Sequence, residues 1–359
     1  MRKKILAAIV AALMLSLCVP FFSGCSASVN YVLSDDGEYY IASCSGSRSS
    51  LSGELFIEST YNGLPVKEIA KNGFRRTSIT KVVIPSSIEY IGKAAFGNCT
   101  SLTDVEFMGF SQVTEISQGL FGFCTKLEEI TIPQSVSKIG DVAFIGCERL
   151  KSITLPDSVE EIGIETFELC SALTEISLPK GLKTIGAYAF YQAGLTEIII
   201  PSSVVDRQVK VLDKEGNPKL DEDNNPVMQT VYGIGVGAFH TCLYLKKVAI
   251  MQPSDPQNAK NVLATLSAGV FGACSALEEI YLPSTITAIK GHVMNGSKFG
   301  VGHAFHHCTA LTTVHFAGTA EQWSAITKEN TSYSGNGQTF DNNAIINAKK
   351  YFESVYVPA

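Results

Sequence analysis

The chain has 359 residues, of which 45% are hydrophobic and 17% charged, and its formal net charge is -6. This composition supports a sizeable core and excludes a largely disordered chain. The acidic balance argues against a nucleic-acid binder, which normally presents a basic face, and no apolar run long enough to span a membrane follows residue 25.

The first predicted element is an export signal over residues 1–24. A basic start, MRKK, precedes the apolar run ILAAIVAALMLSLCV, and FFSGC follows. This ending resembles a bacterial lipobox, because the small residues Ser23 and Gly24 directly precede Cys25. The resemblance implies cleavage before Cys25 and a diacylglycerol on its thiol, although Phe22 replaces the usual aliphatic residue. Secretion after cleavage at another bond and an uncleaved anchor helix are the alternatives.

Residues 25–63 are predicted to form a linker to the lipid anchor and an N-terminal β cap. Within them, YVLSDDGEYYIAS places Asp36-Gly37 between two alternating segments. This arrangement is typical of a β-hairpin. The hairpin would cover the first coil of the architecture that follows.

A repeated phrase occupies residues 64–327. Phenylalanine recurs in steps of 25, 23, 23 and 23 residues, then resumes after longer gaps, and a cysteine usually follows it three positions later. The residues of this predicted ladder are Phe96, Cys99, Phe121, Cys124, Phe144, Cys147, Phe167, Cys170, Phe190, Phe239, Cys242, Phe271, Cys274, Phe305 and Cys308. Thr77 and Ala193 stand where cysteine is expected, and Phe74 opens an early degenerate copy. The count is nine units.

Each unit has an apolar side that it cannot bury alone. In LTEISLP, three apolar residues point inward in a strand-like pattern, and Pro179 ends the strand because it has no N–H to donate. Gly186 permits a tight corner, and Phe190 fills the middle of the coil. Stacked units bury these residues, with strands about 4.8 Å apart.

The full phrase, Leu-x-x-Ile-x-Leu-Pro-x-x-Val-x-x-Ile-Gly-x-x-Ala-Phe-x-x-Cys, resembles the BspA-type leucine-rich repeat of bacterial surface proteins. It covers residues 64–323, and LTTVHFAGTAEQWSAI (311–326) is similar to the closing repeat of that family, where a Trp-containing helix replaces the next coil. Trp323 and Ile326 would cover the open end of the core.

The expected fold class is therefore α/β, mostly β. We expect a right-handed leucine-rich-repeat solenoid of about nine repeats of ~23 residues, with an N-terminal hairpin cap and a C-terminal helical cap. Residues 328–359 are assigned to the C-terminal cap or tail.

The cysteines admit four interpretations: a disulfide framework, a metal site, a row of nucleophiles or a packing ladder. They share one repeat position with Thr77 and Ala193, which cannot form disulfides, so the position selects a small side chain. No Cys-x-x-Cys pair and no histidine at a fixed offset supports metal binding or nucleophilic catalysis. A buried thiol ladder is predicted, and oxidation between adjacent rungs stays open.

A histidine cluster lies in GHAFHHC, with His303, His306 and His307 close together. Zinc binding is one hypothesis. Phe305 and Cys308 already belong to the core ladder, however, and the histidines occupy variable turn positions. Solvated turn histidines are therefore predicted, with no metal site.

The insertion at 205–229 separates two repeats and is predicted to be a protruding β-hairpin, because VKVL alternates and KEGNP is a turn signal. Asp221, Asp223 and Asn225 loosely resemble a calcium loop, but Pro226 stands where that loop requires glycine. A solvated acidic loop is favoured. Further inserts lie at 251–267 and 290–299.

The predicted function is that of a lipid-anchored protein at the bacterial cell surface, with the repeats as a scaffold for protein interaction and adhesion. Extended repeat surfaces suit protein or glycan recognition. The candidate binding residues on the exposed strand face are Thr103, Asp104, Glu129, Thr174, Glu175 and Glu197. A glycan-binding component of an uptake system and a hydrolase built on the inserts are the alternatives.

Catalysis has no positive support in the sequence, so the protein is predicted not to be an enzyme and to need no cofactor. It is expected to be a monomer that contacts membrane through its anchor alone. Its partner would be an extracellular protein or glycan, and no nucleic acid.

Overall fold

The computed structural model describes residues 28–211, 213, 218–223, 225–257, 261–291, 302–329, 333–335 and 338–358. The predicted export signal and Cys25 lie outside these residues, as do most of 290–299 and parts of the other two inserts.

Short strands dominate the described part of the chain. The first thirteen are β1 (Val29–Leu33), β2 (Tyr40–Cys44), β3 (Ser52–Phe56), β4 (Thr60–Tyr61), β5 (Leu64–Ile69), β6 (Ser78–Ile84), β7 (Tyr90–Ile91), β8 (Asp104–Phe107), β9 (Glu115–Ile116), β10 (Glu129–Thr131), β11 (Lys138–Ile139), β12 (Ser152–Thr154) and β13 (Glu161–Ile162). The remainder are β14 (Thr184–Ile185), β15 (Glu197–Ile200), β16 (Arg207–Lys210), β17 (Met228–Val231), β18 (Lys247–Ile250), β19 (Thr265–Leu266), β20 (Glu279–Leu282), β21 (Ala288–Ile289), β22 (Thr313–Phe316), β23 (Thr327–Lys328), β24 (Tyr333–Gly335), β25 (Gln338–Phe340) and β26 (Lys349–Phe352).

The helices are brief. A 3-10 turn covers Arg48–Ser50, and two α-helices, α1 (Ala320–Ala325) and α2 (Asn343–Asn347), lie near the end of the chain. Thr319 and Gln322 form a capping box that starts α1. Within the described residues, every helix is too short and too polar to cross a bilayer.

Parallel strands stack along two sides of the molecule. The longer strands form the sheets β3-β6-β8, β10-β12 and β15-β18-β20-β22-β26, and these ten strands are called the strand face below. The short strands form β9-β11-β13-β14 and β19-β21-β23 on another side of each coil. This arrangement confirms the expected leucine-rich-repeat solenoid.

Alternation along each strand separates core from surface. In β10, Glu129 and Thr131 are exposed while Ile130 is buried, and β12 repeats this pattern. Because successive side chains of a strand point to opposite sides, one row enters the core and the other forms the strand face.

Nine phenylalanines form a continuous column in the core. Consecutive rings, from Phe74 to Phe305, have centroids 5.1 to 5.8 Å apart. All nine side chains are fully buried. The column passes the insert without interruption, since the Phe190 and Phe239 rings are 5.1 Å apart.

The sequence pattern assigns Gly186 of the Ile-Gly pair to a tight corner. The structure shows a different reason for glycine at this position. A Cβ built on Gly186 would lie 2.4 Å from the main-chain carbonyl carbon of Gly163, one coil back. Real Cβ atoms do not approach so closely. Glycine therefore allows neighbouring coils to pack backbone against backbone.

At both ends of the stack, strands pair with the neighbouring coil. At the start, β1 and β2 form an antiparallel hairpin, and β2 pairs with β5. At the other end, Trp323 of α1 and Ile326 are buried, but the strand face continues beyond them because β26 pairs in parallel with β22. The segment 328–359 thus contributes the last strand and the buried Ile345 of α2.

Candidate functional site

All six residues that the sequence proposes for binding are exposed, and three of them lie in strands of the strand face. Asp104, Glu129 and Glu197 begin β8, β10 and β15. Thr174 and Glu175 lie in a coil whose corresponding segment is not a regular strand. The Thr103 hydroxyl, directly before β8, donates to the Thr80 carbonyl 3.0 Å away.

The strand face is interrupted twice. The strand ladder stops between β8 and β10, and again between β12 and β15. The first interruption follows a repeat unit that is two residues longer than the next three. In this unit 25 residues separate Phe96 from Phe121, whereas the following steps are 23 residues. In that unit MGFSQ replaces the proline turn, and Phe107 leads into this longer loop. Local variation in the repeat therefore accompanies the first interruption.

The first groove lies at the interruption between β8 and β10. It encloses about 900 Å³ and is lined by 104–107, 109–111, 129–135, Ser152 and Thr154. Phe110, at its rim, is 97% exposed. An aromatic ring this exposed contributes nothing to the core, so it is available to an incoming molecule.

Negative charge dominates the first groove. Asp104, Glu106 and Glu129 line it. The Lys81 ammonium lies 3.0 Å from a Glu106 oxygen and 3.5 Å from an Asp104 oxygen, and these carboxylates raise the pKa of Lys81. Glu129 contributes a further carboxylate, so the groove retains an acidic surplus.

The second groove lies at the interruption between β12 and β15. It encloses about 620 Å³, and its walls come from 152–155, 175–178, Lys180, 197–199, Pro201, Met251 and Pro358. Glu175 and Glu197 line it, so four of the six proposed binding residues border one groove or the other.

An aromatic row extends the strand face beyond the second groove. The rings of Tyr281 and His315 stack with centroids 4.1 Å apart, and Tyr351 stacks on His315 at 5.2 Å. Glu279 fixes one end, since its carboxylate lies 2.8 Å from His315 Nε2 and 3.4 Å from the Lys247 ammonium. The pKa of Glu279 is lowered by these two partners, against the opposing effect of burial.

The repeat cysteines form the buried ladder that the sequence predicts. None of the eight described cysteines is in a disulfide, and the seven in the ladder are buried. Each ladder thiol donates to the main-chain carbonyl of the phenylalanine one coil back, with sulfur–oxygen distances of 3.0 to 3.3 Å. A cysteine at this position is therefore a small buried side chain that also links two coils, whereas Ala193 cannot make this bond.

Burial also removes these thiols from nucleophilic chemistry. It raises the pKa of Cys147 well above its usual value, and it does the same for Cys124 and Cys242. The thiolate is the reactive form of cysteine, so a raised pKa and an inaccessible sulfur make these residues inert.

The histidine prediction is wrong for two of the three residues. His307 is exposed, but His303 and His306 are 1% and 3% exposed. The His306 ring fills space beside Gly272, where a Cβ would lie 2.2 Å from the ring, and its centroid is 5.1 Å from that of His240. Burial lowers the pKa of His306, and it lowers the pKa of His240 to about 3.

The insert at 205–229 and the two residues after it form an antiparallel hairpin, since β16 pairs with β17. Asp206 holds its base: the carboxylate accepts main-chain N–H groups of Gly233, Ala264 and Thr265 at 2.8 to 3.1 Å. At the far end, one Asp221 oxygen accepts the N–H groups of Asp223 and Asn225. That carboxylate therefore caps a turn, and no cluster of three or more potential metal ligands occurs among the described residues.

Sequence reasoning missed Phe110 and the aromatic row. The longer unit containing MGFSQ was a signal for Phe110, because two extra residues must leave the regular coil. Tyr281, His315 and Tyr351 are far apart in sequence, and only the register of β20, β22 and β26 aligns them.

Comparison with known proteins gives one family. The model described as BspA type Leucine rich repeat region matches in six copies, over residues 67–109, 108–215 and 224–300. No protein with a curated description matches the chain at a significant level.

Similar solved structures include a leucine rich cell surface protein from Faecalibacterium prausnitzii A2-165, at 23% identity over 87% of this chain and 98% of that chain, with a TM-score of 0.44. The pneumococcal vaccine antigen PcpA is 18% identical over 90% of this chain and 91% of that chain, with a TM-score of 0.46. A leucine-rich repeat protein from Bacteroides ovatus is 19% identical over 90% of this chain and 98% of that chain, with a TM-score of 0.35.

Proposed function

Because the chain belongs to the BspA-type leucine-rich repeat family, we propose that it is a cell-surface scaffold whose strand face binds a partner protein. The observation that carries this proposal is the first groove, where an almost fully exposed Phe110 stands beside an interruption of the sheet. Aromatic side chains, phenylalanine among them, are enriched at protein interfaces relative to the rest of the surface.

Charge indicates the partner's chemistry. Asp104, Glu106 and Glu129 give the first groove an acidic surplus over Lys81. A partner segment with lysine or arginine beside an apolar residue would complement both the carboxylates and the Phe110 ring. Such complementarity mainly raises the association rate and the specificity, and it weakens as salt is added.

Anchoring at the cell surface is the second part of the proposal. The lipobox-like sequence before Cys25 supports a lipid on that thiol. Membrane fractionation of cells expressing Cys25→Ala tests it: the protein should move to the soluble exported fraction. Membrane retention of a variant whose signal has been cleaved would refute the lipid anchor while leaving the groove proposal intact.

A matched pair of substitutions tests the groove. Phe110→Ser should reduce capture of extracellular or neighbouring-cell proteins about tenfold or more if the ring is an anchor. Tyr244→Ser is the control, since Tyr244 is 64% exposed and lies outside the residues that line the groove. Equal capture by both variants would contradict the proposed site, and binding to a glycan array alone would replace protein with glycan as the partner.

A further inference from the structure

The chain folds back across its own strand face after β26. Glu353 has a left-handed φ of 55°, which turns the backbone. The N–H groups of Glu353 and Ser354 then donate to the carbonyls of Gly318 and Phe316, at 3.0 and 3.2 Å. The segment 353–358, called the return segment below, thereby leaves the last strand and runs towards earlier ones.

Tyr356 is the main side-chain contact of the return segment. Its ring lies edge-on to Tyr281 of β20, with centroids 5.2 Å apart. The Lys247 ammonium of β18 lies 5.1 Å from the centroids of both rings. Two residues later, Pro358 forms part of the wall of the second groove. The return segment thus places a tyrosine against β18 and β20 and a proline in the wall of the second groove.

The strand face holds the tyrosine position through contacts of its own. Lys247 is 3.4 Å from Glu279, and Tyr281 stacks on His315, so each residue has a partner on the strand face besides Tyr356. An ammonium held beside an aromatic ring attracts a second ring through the ring's negative face. The site is therefore preorganised before a tyrosine arrives.

Few other contacts retain the return segment. Across the described residues, no main-chain hydrogen bond involves Val355 to Pro358. Val355 and Val357 are 51% and 80% exposed. A stretch held by one ring and one proline, with no strand pairing, is suited to exchange with another segment of the same kind.

We propose that the return segment is an intramolecular ligand of the strand face. The segment of a partner protein that binds this site is an extended peptide with tyrosine two positions before proline. The tyrosine occupies the place beside Lys247 and Tyr281, and the proline occupies the wall of the second groove. This inference deepens the proposed function and rests on it in one respect, that the face binds protein.

Competition follows from the geometry. A ligand tethered within a chain has a millimolar effective concentration, so it masks its own site from weak external peptides. Removing the return segment should unmask the site and raise the apparent affinity of a peptide by a factor equal to the reciprocal of the fraction of molecules that were open.

The test uses a fluorescent peptide with the sequence of residues 353–358, titrated to about 1 mM against the intact protein and against a variant that stops after Phe352. We expect about tenfold tighter binding to the shortened variant. The same peptide with alanine in place of tyrosine, and the shortened variant carrying Lys247→Ala, should each lose most of that binding.

A second variant protects the test against misfolding. Tyr356→Ser in the intact chain keeps the backbone bonds of Glu353 and Ser354 and should also bind the peptide more tightly than the unmodified protein. Equal binding to all three proteins, or no binding to a folded shortened variant, would overturn the inference. Neither result bears on Phe110 and the first groove, so failure here is distinguishable from failure of the proposed function.

Discussion

The thiol of Cys147 donates a hydrogen bond to the main-chain carbonyl of Phe121, one coil back, with 3.2 Å between sulfur and oxygen. The same carbonyl accepts the N–H of Cys124 within its own coil, at 3.0 Å. Each such bond links a turn of one coil to the next through a buried group. The ladder therefore ties consecutive repeats together without a covalent cross-link.

Removing one rung should lower the free energy of unfolding. We expect Cys147→Ala to cost about 1–2 kcal/mol, because the carbonyl loses a donor and the core loses the volume of a sulfur. Urea unfolding measures this change. Cys44→Ala, at a half-buried position outside the ladder, is the control and should change stability by under about 0.5 kcal/mol; equal losses would contradict the role assigned to the rung.

Thiol accessibility should divide the cysteines into two classes. Under native conditions, iodoacetamide should modify Cys44, whereas the seven buried thiols should react only after unfolding, since burial raises their pKa values and blocks access. Mass mapping of peptides after timed labelling separates the sites. Native modification of Cys147 as fast as that of Cys44 would show that the coils open readily.

The phenylalanine column should be the most sensitive part of the core. Phe167→Ala should cost about 3–5 kcal/mol, because it removes a fully buried ring between two stacked neighbours and leaves a cavity. Thermal and urea unfolding provide the measurement. The exposed Phe110→Ala should stay within about 0.5 kcal/mol of the unmodified protein, and a similar loss at both positions would argue against the column's special role.

Asp206 should control attachment of the insert. Asp206→Ala leaves the N–H groups of Gly233, Ala264 and Thr265 without their carboxylate partner and should cost about 2–3 kcal/mol. Hydrogen exchange should accelerate at these three amides. Asp221→Ala, which removes a turn cap in the exposed loop, should leave that exchange unchanged; acceleration in both variants would mean that Asp206 is not the anchor.

Acid should destabilise the protein through His240, a half-buried and desolvated histidine. The pKa of His240 is lowered to about 3 by burial, and next by His306. In the unfolded chain His240 is protonated as the pH falls below about 6.5, whereas in the folded chain it stays neutral. The free energy of unfolding therefore falls as the pH drops from about 6.5 towards 3. His240 alone should account for about 2 kcal/mol between pH 7.5 and 5.

Urea unfolding at these two pH values tests the histidine prediction. His240→Gln should remove most of that pH-dependent loss. The exposed His307→Gln should retain it, and identical pH dependence in the unmodified protein and the His240 variant would contradict the prediction.

The sequence by itself determined the scaffold. The fixed spacing of a phenylalanine, a cysteine and an Ile-Gly pair predicts which residues each coil buries. Stacking the coils buries these residues. The hairpins followed from equally local signals, such as Asp36-Gly37 at the first cap. These features depend on residues within one unit, which is why the pattern predicts them.

Only the tertiary structure decided how residues from different coils meet. His306 is buried because Gly272, 34 residues earlier, leaves room for its ring. The Cys147 thiol donates to a carbonyl on another coil, and the first groove lies where β8 and β10 do not pair. Tyr356 reaches Tyr281 only because the chain reverses at Glu353. Such contacts depend on the register and spacing between coils, which side-chain periodicity within one coil does not specify.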